Sequence, residues 1–329
     1  MDYVPFGPTG IRVSELCLGT MTFGNEADEA TSVAIMDRAL DAGINFFDTA
    51  DLYNAGLTEE IVGRWLQGHR DEIVLASKVH FPTGDGVNAR GSSRLHIIKG
   101  VEACLKRLQT DWVDVLYLHH WDADTPLDET LSALTHLVDH GKVLYCGVSN
   151  FAAWQTTEAM CAADAGGLAP IVATQPMYNL VKRQAEVEIL PMAYEHDLAV
   201  CPYSPMGAGL LSGKYQRKEE GRITTNKMYK ERYADPEYRA VSDRFVAYAE
   251  DIGHSPAALS IAWVQNHPAV TSTIIGARNI DQFDTALSSL DIPMDGKARA
   301  AISALSTEPP LATDREKSGV IPFQDAEEE

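Results

Sequence analysis

The sequence is poor in the features that mark specialised protein classes. Cysteine is scarce. Its five residues (Cys17, Cys104, Cys146, Cys161 and Cys201) are odd in number and have no C-x-x-C spacing, which excludes a disulfide scaffold and a thiolate zinc knuckle. Positive charge is in deficit, with 27 Lys and Arg against 47 Asp and Glu and a formal net charge of −20. Such a chain has no basic stripe to displace counterions from nucleic-acid phosphates, and an anionic membrane surface repels it. No apolar run approaches the ~20 residues needed to cross a bilayer. The opening MDYVPFG lacks the basic stretch and apolar core of a secretory signal, so a reduced, cytoplasmic setting is expected. No His-x-His pair or carboxylate cluster has metal-ligand spacing, and no metal is expected. Nor does a G-x-G-x-x-G follow an N-terminal strand; GAGLLSG at 207–213 breaks that fingerprint and lies far too late.

What the chain does have is an ordinary globular balance, 45% hydrophobic and 22% charged, over 329 residues. Short β-branched apolar runs at 16–19, 45–48, 73–78, 113–119, 143–149, 172–175, 199–203 and 273–275 read as strands. Helical periodicity fills the intervals at 30–42, 59–67, 95–108, 127–140, 153–163, 183–196 and 280–287. Eight strands alternating with helices predict an α/β fold, a closed TIM (β/α)8 barrel in one domain over 1–329. Residues 1–14, around GPTG, predict an N-terminal hairpin that closes the bottom of the barrel. A Lys-, Glu-, Tyr- and Arg-rich insert spans 215–251, with helices expected at 238–252 and 256–266. An extra helix is expected at 295–305, and a Pro-rich tail from 307 to 329.

Chemistry in such barrels gathers where strands end. Asp48 closes the second predicted strand, Lys78 the third and His119 the fourth, while Tyr53 lies in the loop after the second. Adjacent strands stand about 5 Å apart, so these side chains can converge. Singly each has a plainer reading, a turn cap or a loop aromatic. Together they form a proton-delivery set: a tyrosine as acid, a buried lysine that favours the phenolate and lowers its pKa, and an aspartate that keeps the lysine charged. A neutral histidine orients the carbonyl. His119 and His120 point to opposite faces, so only one can serve.

The segments VSELCLGTMTFG, GINFFDTADLYNAG, IVLASKV, DVLYLHHWD, GVSNF, YSPMGAGLLSGKY and IIGARNIDQF resemble, in order and spacing, the aldo-keto reductase superfamily, most of all its bacterial and potassium-channel-β-like branches. The resemblance runs from about Val13 to Leu287. It implies a barrel that binds NAD(P)H without a Rossmann domain and reduces an aldehyde or ketone to the alcohol, with NADPH preferred and NADH an alternative. The tetrad it implies is Asp48, Tyr53, Lys78 and His119, the histidine chosen from its spacing to Asp114 and Asp122. Cofactor contacts carried over are Gly19, Thr20 and Met21; Ser149, Asn150 and Gln175 on the carboxamide; and Tyr203 stacked on the nicotinamide. Ser204, Met206, Gly209, Leu210, Ser212 and Lys214 form a pyrophosphate strap, with Gly276, Arg278 and Gln282 at the adenosine end. Arg278 suits a 2′-phosphate. Where the branch usually carries Glu-Asn, this chain has Thr285 and Ala286, so its adenine-edge contacts differ.

Phe23, Phe81 and Trp121, with Tyr53 and His119, are expected to wall an apolar substrate pocket beside the Gly-rich loop 80–94. An alternative function is an NADPH-binding redox-sensing regulatory subunit with slow turnover, like potassium-channel β proteins. The sequence leaves oligomeric state open.

Overall fold

A computed structural model describes residues 1–313, so the expected tail lies outside the described residues from 314 onward. The chain opens with the antiparallel pair β1 (Tyr3–Pro5) and β2 (Arg12–Ser14). Eight parallel strands follow: β3 (Leu16–Gly19), β4 (Phe46–Asp48), β5 (Val74–Val79), β6 (Val113–Leu118), β7 (Val143–Ser149), β8 (Ile171–Gln175), β9 (Ala199–Val200) and β10 (Thr273–Ile275). Their spatial order is β10-β3-β4-β5-β6-β7-β8-β9. The two ends of the sheet meet where Ile274 N donates to Pro202 O at 3.0 Å and Ser272 N to Val200 O at 3.2 Å. The architecture is the anticipated (β/α)8 barrel with an N-terminal hairpin.

Helices α1 (Glu29–Asp41), α2 (Leu57–Leu66), α3 (Arg94–Leu108), α4 (Leu127–Asp139), α5 (Ala153–Gly166) and α6 (Ile189–Glu195) fill the crossovers. The single helix expected over 183–196 is instead a 3-10 turn, Gln184–Glu186, followed by α6. Pro191 explains the break, since it has no N–H for the ladder and its ring crowds the carbonyl four residues back. The insert after β9 holds two short helices the sequence reading did not foresee, α7 (Arg222–Thr225) and α8 (Lys227–Arg232), before α9 (Pro236–Asp251). Then come α10 (Pro256–Gln265), capped by Ser255, α11 (Ile280–Leu287), capped by Asn279, and α12 (Gly296–Ser303), capped by Asp295. Among the described residues no helix is long and apolar enough to cross a membrane.

Side-chain alternation sorts each strand between two cores. Cys17, Phe46, Ala76, Val115, Tyr117, Ala173, Ala199 and Cys201 pack inside the barrel, together with Phe6 and Val13 of the hairpin. Their neighbours Leu16, Leu18, Phe47, Leu75, Leu116 and Leu118 face the helices. Phe6 meets Phe46 edge-on at 5.5 Å, so the hairpin plugs the barrel floor. Its turn needs glycine: Gly7 has φ +54, and a Cβ there would lie 2.7 Å from Val172 O and 2.8 Å from Ala199 N.

Candidate active site

The inward row that carries Phe46, Ala76 and Tyr117 reaches Asp48, Lys78 and His119 at the opposite end of the barrel. Period two does this: each polar residue stands two positions beyond an apolar one that faces inward. Lys78 is fully buried and ion-pairs with Asp48. Its ammonium also donates to Thr49 O at 2.8 Å and to Tyr53 Oη at 3.3 Å. The Tyr53 ring meets His119 edge-on at 6.2 Å. The four residues singled out from the sequence therefore converge. His119 is buried and His120 exposed, as their alternation requires.

Around them a polar lattice fixes the strand ends. Gln175 Nε2 donates to Asp48 Oδ2 at 2.9 Å, Ser149 Oγ to Gln175 O at 3.0 Å and Thr20 Oγ1 to Asp48 O at 3.0 Å. Asn150 Nδ2 donates to His119 O at 2.9 Å, and Tyr203 Oη donates to Asn150 Oδ1 at 2.7 Å. Asn150 and Ser204 both hold left-handed backbone, at φ 58 and 59. Such conformations cost energy and persist where surroundings enforce them, often at functional sites.

The charge states follow from burial. Burial favours the neutral amine of Lys78, but the Asp48 carboxylate and the neighbouring phenol outweigh it and hold the lysine above its ordinary value. Burial, then Lys78, His80 and His120, keep His119 well below its ordinary value, so its imidazole is neutral. Its Nδ1 is buried with no hydrogen-bond partner. Tyr53 corrects the sequence reading. Desolvation of its hydroxyl exceeds the pull of Lys78, and Asp48 offsets part of that pull, so the phenol sits above its ordinary value rather than below it.

The strap after β9 brings three cations together. Lys214 has no ion pair among the described residues, and its pKa is depressed by burial, then by Arg278 and Arg222. A Cβ on Gly209 would lie 2.4 Å from Lys214 Cε, and one on Gly221 2.5 Å from its Nζ, so two glycines form its cradle. The one carboxylate paired in this group is Glu26, on Arg222 at 2.9 Å. An excess of positive charge under glycine backbone, on so acidic a chain, fits a phosphate-bearing dinucleotide. Ser212 Oγ donates to Gly209 O at 2.8 Å, and Met206 packs partly buried at the edge of the outer core. Arg278 Nε approaches Gln282 Oε1 at 3.5 Å, beside exposed Gly276. Leu210 is buried in the core beneath the strap, leaving only its backbone to meet a ligand. Gly19 is pressed against Ile274, whose Cγ2 would lie 2.7 Å from a Cβ there, and half-buried Met21 follows two residues later. Ala286 is buried, and Thr285 Oγ1 donates back to Asp281 O at 2.7 Å.

The substrate wall needs correction. Phe81 does reach the tetrad, its ring edge-on to His119 at 4.9 Å. Phe23 is fully buried in the outer core and presents no surface to a pocket. Trp121 packs against Phe151 at 5.3 Å and Trp154 at 5.6 Å, with the outer core behind it. Loop 80–94 is pinned at its base, where Ser92 N donates to Asp122 Oδ2 at 2.6 Å and Gly91 N to His80 O at 2.7 Å. Sequence reasoning missed Asn54, whose Nδ2 donates to Phe23 O at 2.7 Å and so fixes the loop carrying Tyr53; the turn-favouring run Asn-Ala-Gly was the available signal, and Asn54 does hold left-handed backbone (φ 48). It also missed Arg222 and Glu26 beside Lys214.

Residues 15–307 match the aldo/keto reductase family. An uncharacterized oxidoreductase of Bacillus subtilis, YrpG, is 41% identical over 90% of this chain and 93% of its own length. A probable voltage-gated potassium channel subunit beta of Arabidopsis thaliana is 37% identical, over 89% of this chain and 92% of its own. Norsolorinic acid reductase A of Aspergillus parasiticus is 33% identical, over 86% of this chain and 75% of its own. Barrel, inward polar row and full-length similarity agree: the chain belongs to the aldo/keto reductase family, whose members generally bind nicotinamide cofactors and act on small carbonyl compounds.

Proposed function

We propose that this protein reversibly reduces an aldehyde or ketone to the alcohol, with NADPH as the preferred reductant. The observation that carries this reading is the contact of the buried, Asp48-paired Lys78 ammonium with the Tyr53 hydroxyl, beside a neutral histidine. When bound, the reduced nicotinamide supplies a hydride to the carbonyl carbon. Tyr53 holds a proton at Oη and passes it to the carbonyl oxygen as negative charge develops there. Lys78 stabilises the phenolate left behind, and Asp48 holds Lys78 in place and charged. His119 has one ring N–H to give the same oxygen. Ser149, Asn150 and Gln175 orient the carboxamide, and Tyr203 offers an aromatic face to the nicotinamide. Lys214 and Arg222 would hold the pyrophosphate together with the glycine backbone of the strap, and Arg278 would take the 2′-phosphate.

The test is Tyr53→Phe. Consumption of NADPH with 4-nitrobenzaldehyde should fall by about 10²–10⁴-fold, while NADPH affinity, read by fluorescence titration, stays close to that of the parent. Undiminished turnover would remove Tyr53 as the acid. The same titration with NADH tests the preference for the phosphorylated cofactor. Similarity to a probable potassium channel subunit carries a second reading, a cofactor-holding regulatory subunit. Tight NADPH binding with negligible turnover over a broad panel of aldehydes and ketones would favour it.

A further inference from the structure

The insert between β9 and β10 supplies a feature that the reaction chemistry does not use. Helix α8 ends at Arg232, and the next residue anchors it to the site. Tyr233 Oη accepts from Asn179 Nδ2 at 3.4 Å and lies 3.9 Å from Met177 Sδ. Met177 bridges to Tyr203, and Asn179 Nδ2 also donates to Ser204 O at 3.0 Å. The end of α8 is therefore fastened to the strand end that presents Tyr203. One turn earlier Tyr229 is buried, with the Arg232 guanidinium 5.4 Å and the Arg222 guanidinium 5.8 Å from its ring centroid.

Arg232 is half-buried and has no carboxylate partner among the described residues; its one hydrogen bond there is to Met228 Sδ at 3.9 Å. Several exposed arginines do find partners, Arg38 with Asp284, Arg64 with Glu29, Arg217 with Glu219 and Arg244 with Glu237, whereas Arg232, like Arg12, Arg90, Arg94, Arg278 and Arg299, has none among the described residues. Its charge acts on the chemical end of the site. Burial pushes the Tyr203 phenol up to about 12, and Arg232 is the charge that opposes this most. Lys214, in contrast, feels Arg278 and Arg222 first. The two guanidiniums thus meet on the Tyr229 ring, Arg222 acting on Lys214 of the cradle and Arg232 on Tyr203.

Building on the carbonyl-reductase reading, we propose that Arg232 is a specificity-determining residue that binds a carboxylate on the substrate, so that the preferred carbonyl compounds are aldehydes or ketones bearing an anionic group. A guanidinium grips a carboxylate through two parallel hydrogen bonds, and partial burial strengthens the pair. Because the net charge of −20 repels anions, a local unpaired cation is what such a substrate needs. Tyr229, buried against the Arg232 guanidinium, helps hold it in place for such a contact.

The experiment compares 4-formylbenzoate with its uncharged methyl ester, taking kcat/KM for each with NADPH. The parent protein should favour the carboxylate, and Arg232→Gln should lower the acid-to-ester ratio by about tenfold or more, chiefly through KM. Arg232→Lys should restore part of the ratio, and Arg232→Glu should invert it. An unchanged ratio in Arg232→Gln overturns the proposal. So does an equal loss on both substrates with weakened NADPH binding, which would place Arg232 on the cofactor. If the parent reduces neither aldehyde, the reductase reading fails, and calorimetric titration of benzoate and benzamide onto the NADP⁺-loaded protein decides the site separately. Selective benzoate binding that Arg232→Gln abolishes keeps the carboxylate site; equal binding by parent and variant discards it.

Discussion

A phenol that gives up its proton in the proposed reaction stands where its anion is disfavoured at rest. Burial keeps Tyr53 protonated across the neutral range, and only an oxygen more basic than phenolate, the alkoxide formed by hydride addition, draws the proton away. Lys78, 3.3 Å from the hydroxyl, then acts on the phenolate far more than on the phenol. Carbonyl reduction should therefore be level with pH through neutrality and decline only above the ordinary tyrosine value near 10. A kcat profile that falls below pH 9 (roughly one unit beneath that value) would place the acid elsewhere. Asp51, two residues before Tyr53, poses a different case. It is buried, neither side-chain oxygen has a hydrogen bond of ordinary geometry, and burial, then neighbouring Glu59, raise it to about 7. Glu59 is fully buried but satisfied, accepting from Ser77 Oγ at 2.7 Å and Arg107 Nε at 2.8 Å. The folded chain keeps the Asp51 proton up to about 7, whereas the unfolded chain releases it near the ordinary aspartate value of 3.8. Across that window the folded state binds more protons, so stability falls as pH rises, and above it the penalty is constant. Asp51→Asn should flatten this slope and, near pH 8, stabilise the protein in denaturant titrations by at most the ~4 kcal/mol that a shift from 3.8 to about 7 represents. Parallel slopes for parent and variant would show that Asp51 is already ionised.

At the level of elements, the barrel was legible because two periods do most of the sorting. Short apolar, β-branched runs marked all eight strands to within a few residues and put 48, 78 and 119 at three successive strand ends. The strap was legible through family resemblance, because glycines spaced around a lysine have little periodicity of their own. What stayed hidden depends on tertiary contact. Helices α7 and α8 are too short to show an amphipathic pattern, and their position is set by Tyr233 on Asn179, 54 residues away in sequence. Phe23 was misplaced for a related reason: an aromatic in a loop does not declare which side of the loop it packs on. The hairpin was foreseen as a plug, and Gly7 carries the most exposed consequence. Gly7→Ala puts a Cβ against two backbone atoms of β8 and β9 while forcing alanine into left-handed backbone. The substitution should cost ~2–3 kcal/mol of global stability. The active-site end lies across the barrel, so NADPH affinity at low temperature should stay near that of the parent. A neutral effect on the unfolding midpoint would mean that the hairpin does not seal the floor.

On the scale of the whole molecule, two charge distributions oppose each other. The chain carries −20 overall, yet the strap gathers Lys214, Arg222 and Arg278 near two carboxylates, Glu26 on Arg222 and Glu219, which is paired with Arg217. A polyanionic cofactor approaching from solution meets the first field before the second, because an unscreened net charge acts over tens of ångströms whereas the strap acts at contact. Raising ionic strength from about 0.01 to 0.1 M shortens the Debye length from ~30 to ~10 Å. That removes most of the long-range repulsion and leaves the partly buried cations nearly unscreened. The association rate constant for NADPH, followed by stopped-flow fluorescence, should therefore rise severalfold over this range, the reverse of the behaviour of a steered enzyme–anion pair. A rate that falls with salt would mean that the strap's field dominates well beyond the pocket mouth. Neutralising Lys214 and Arg278 would then abolish the salt dependence instead of leaving the repulsion in place.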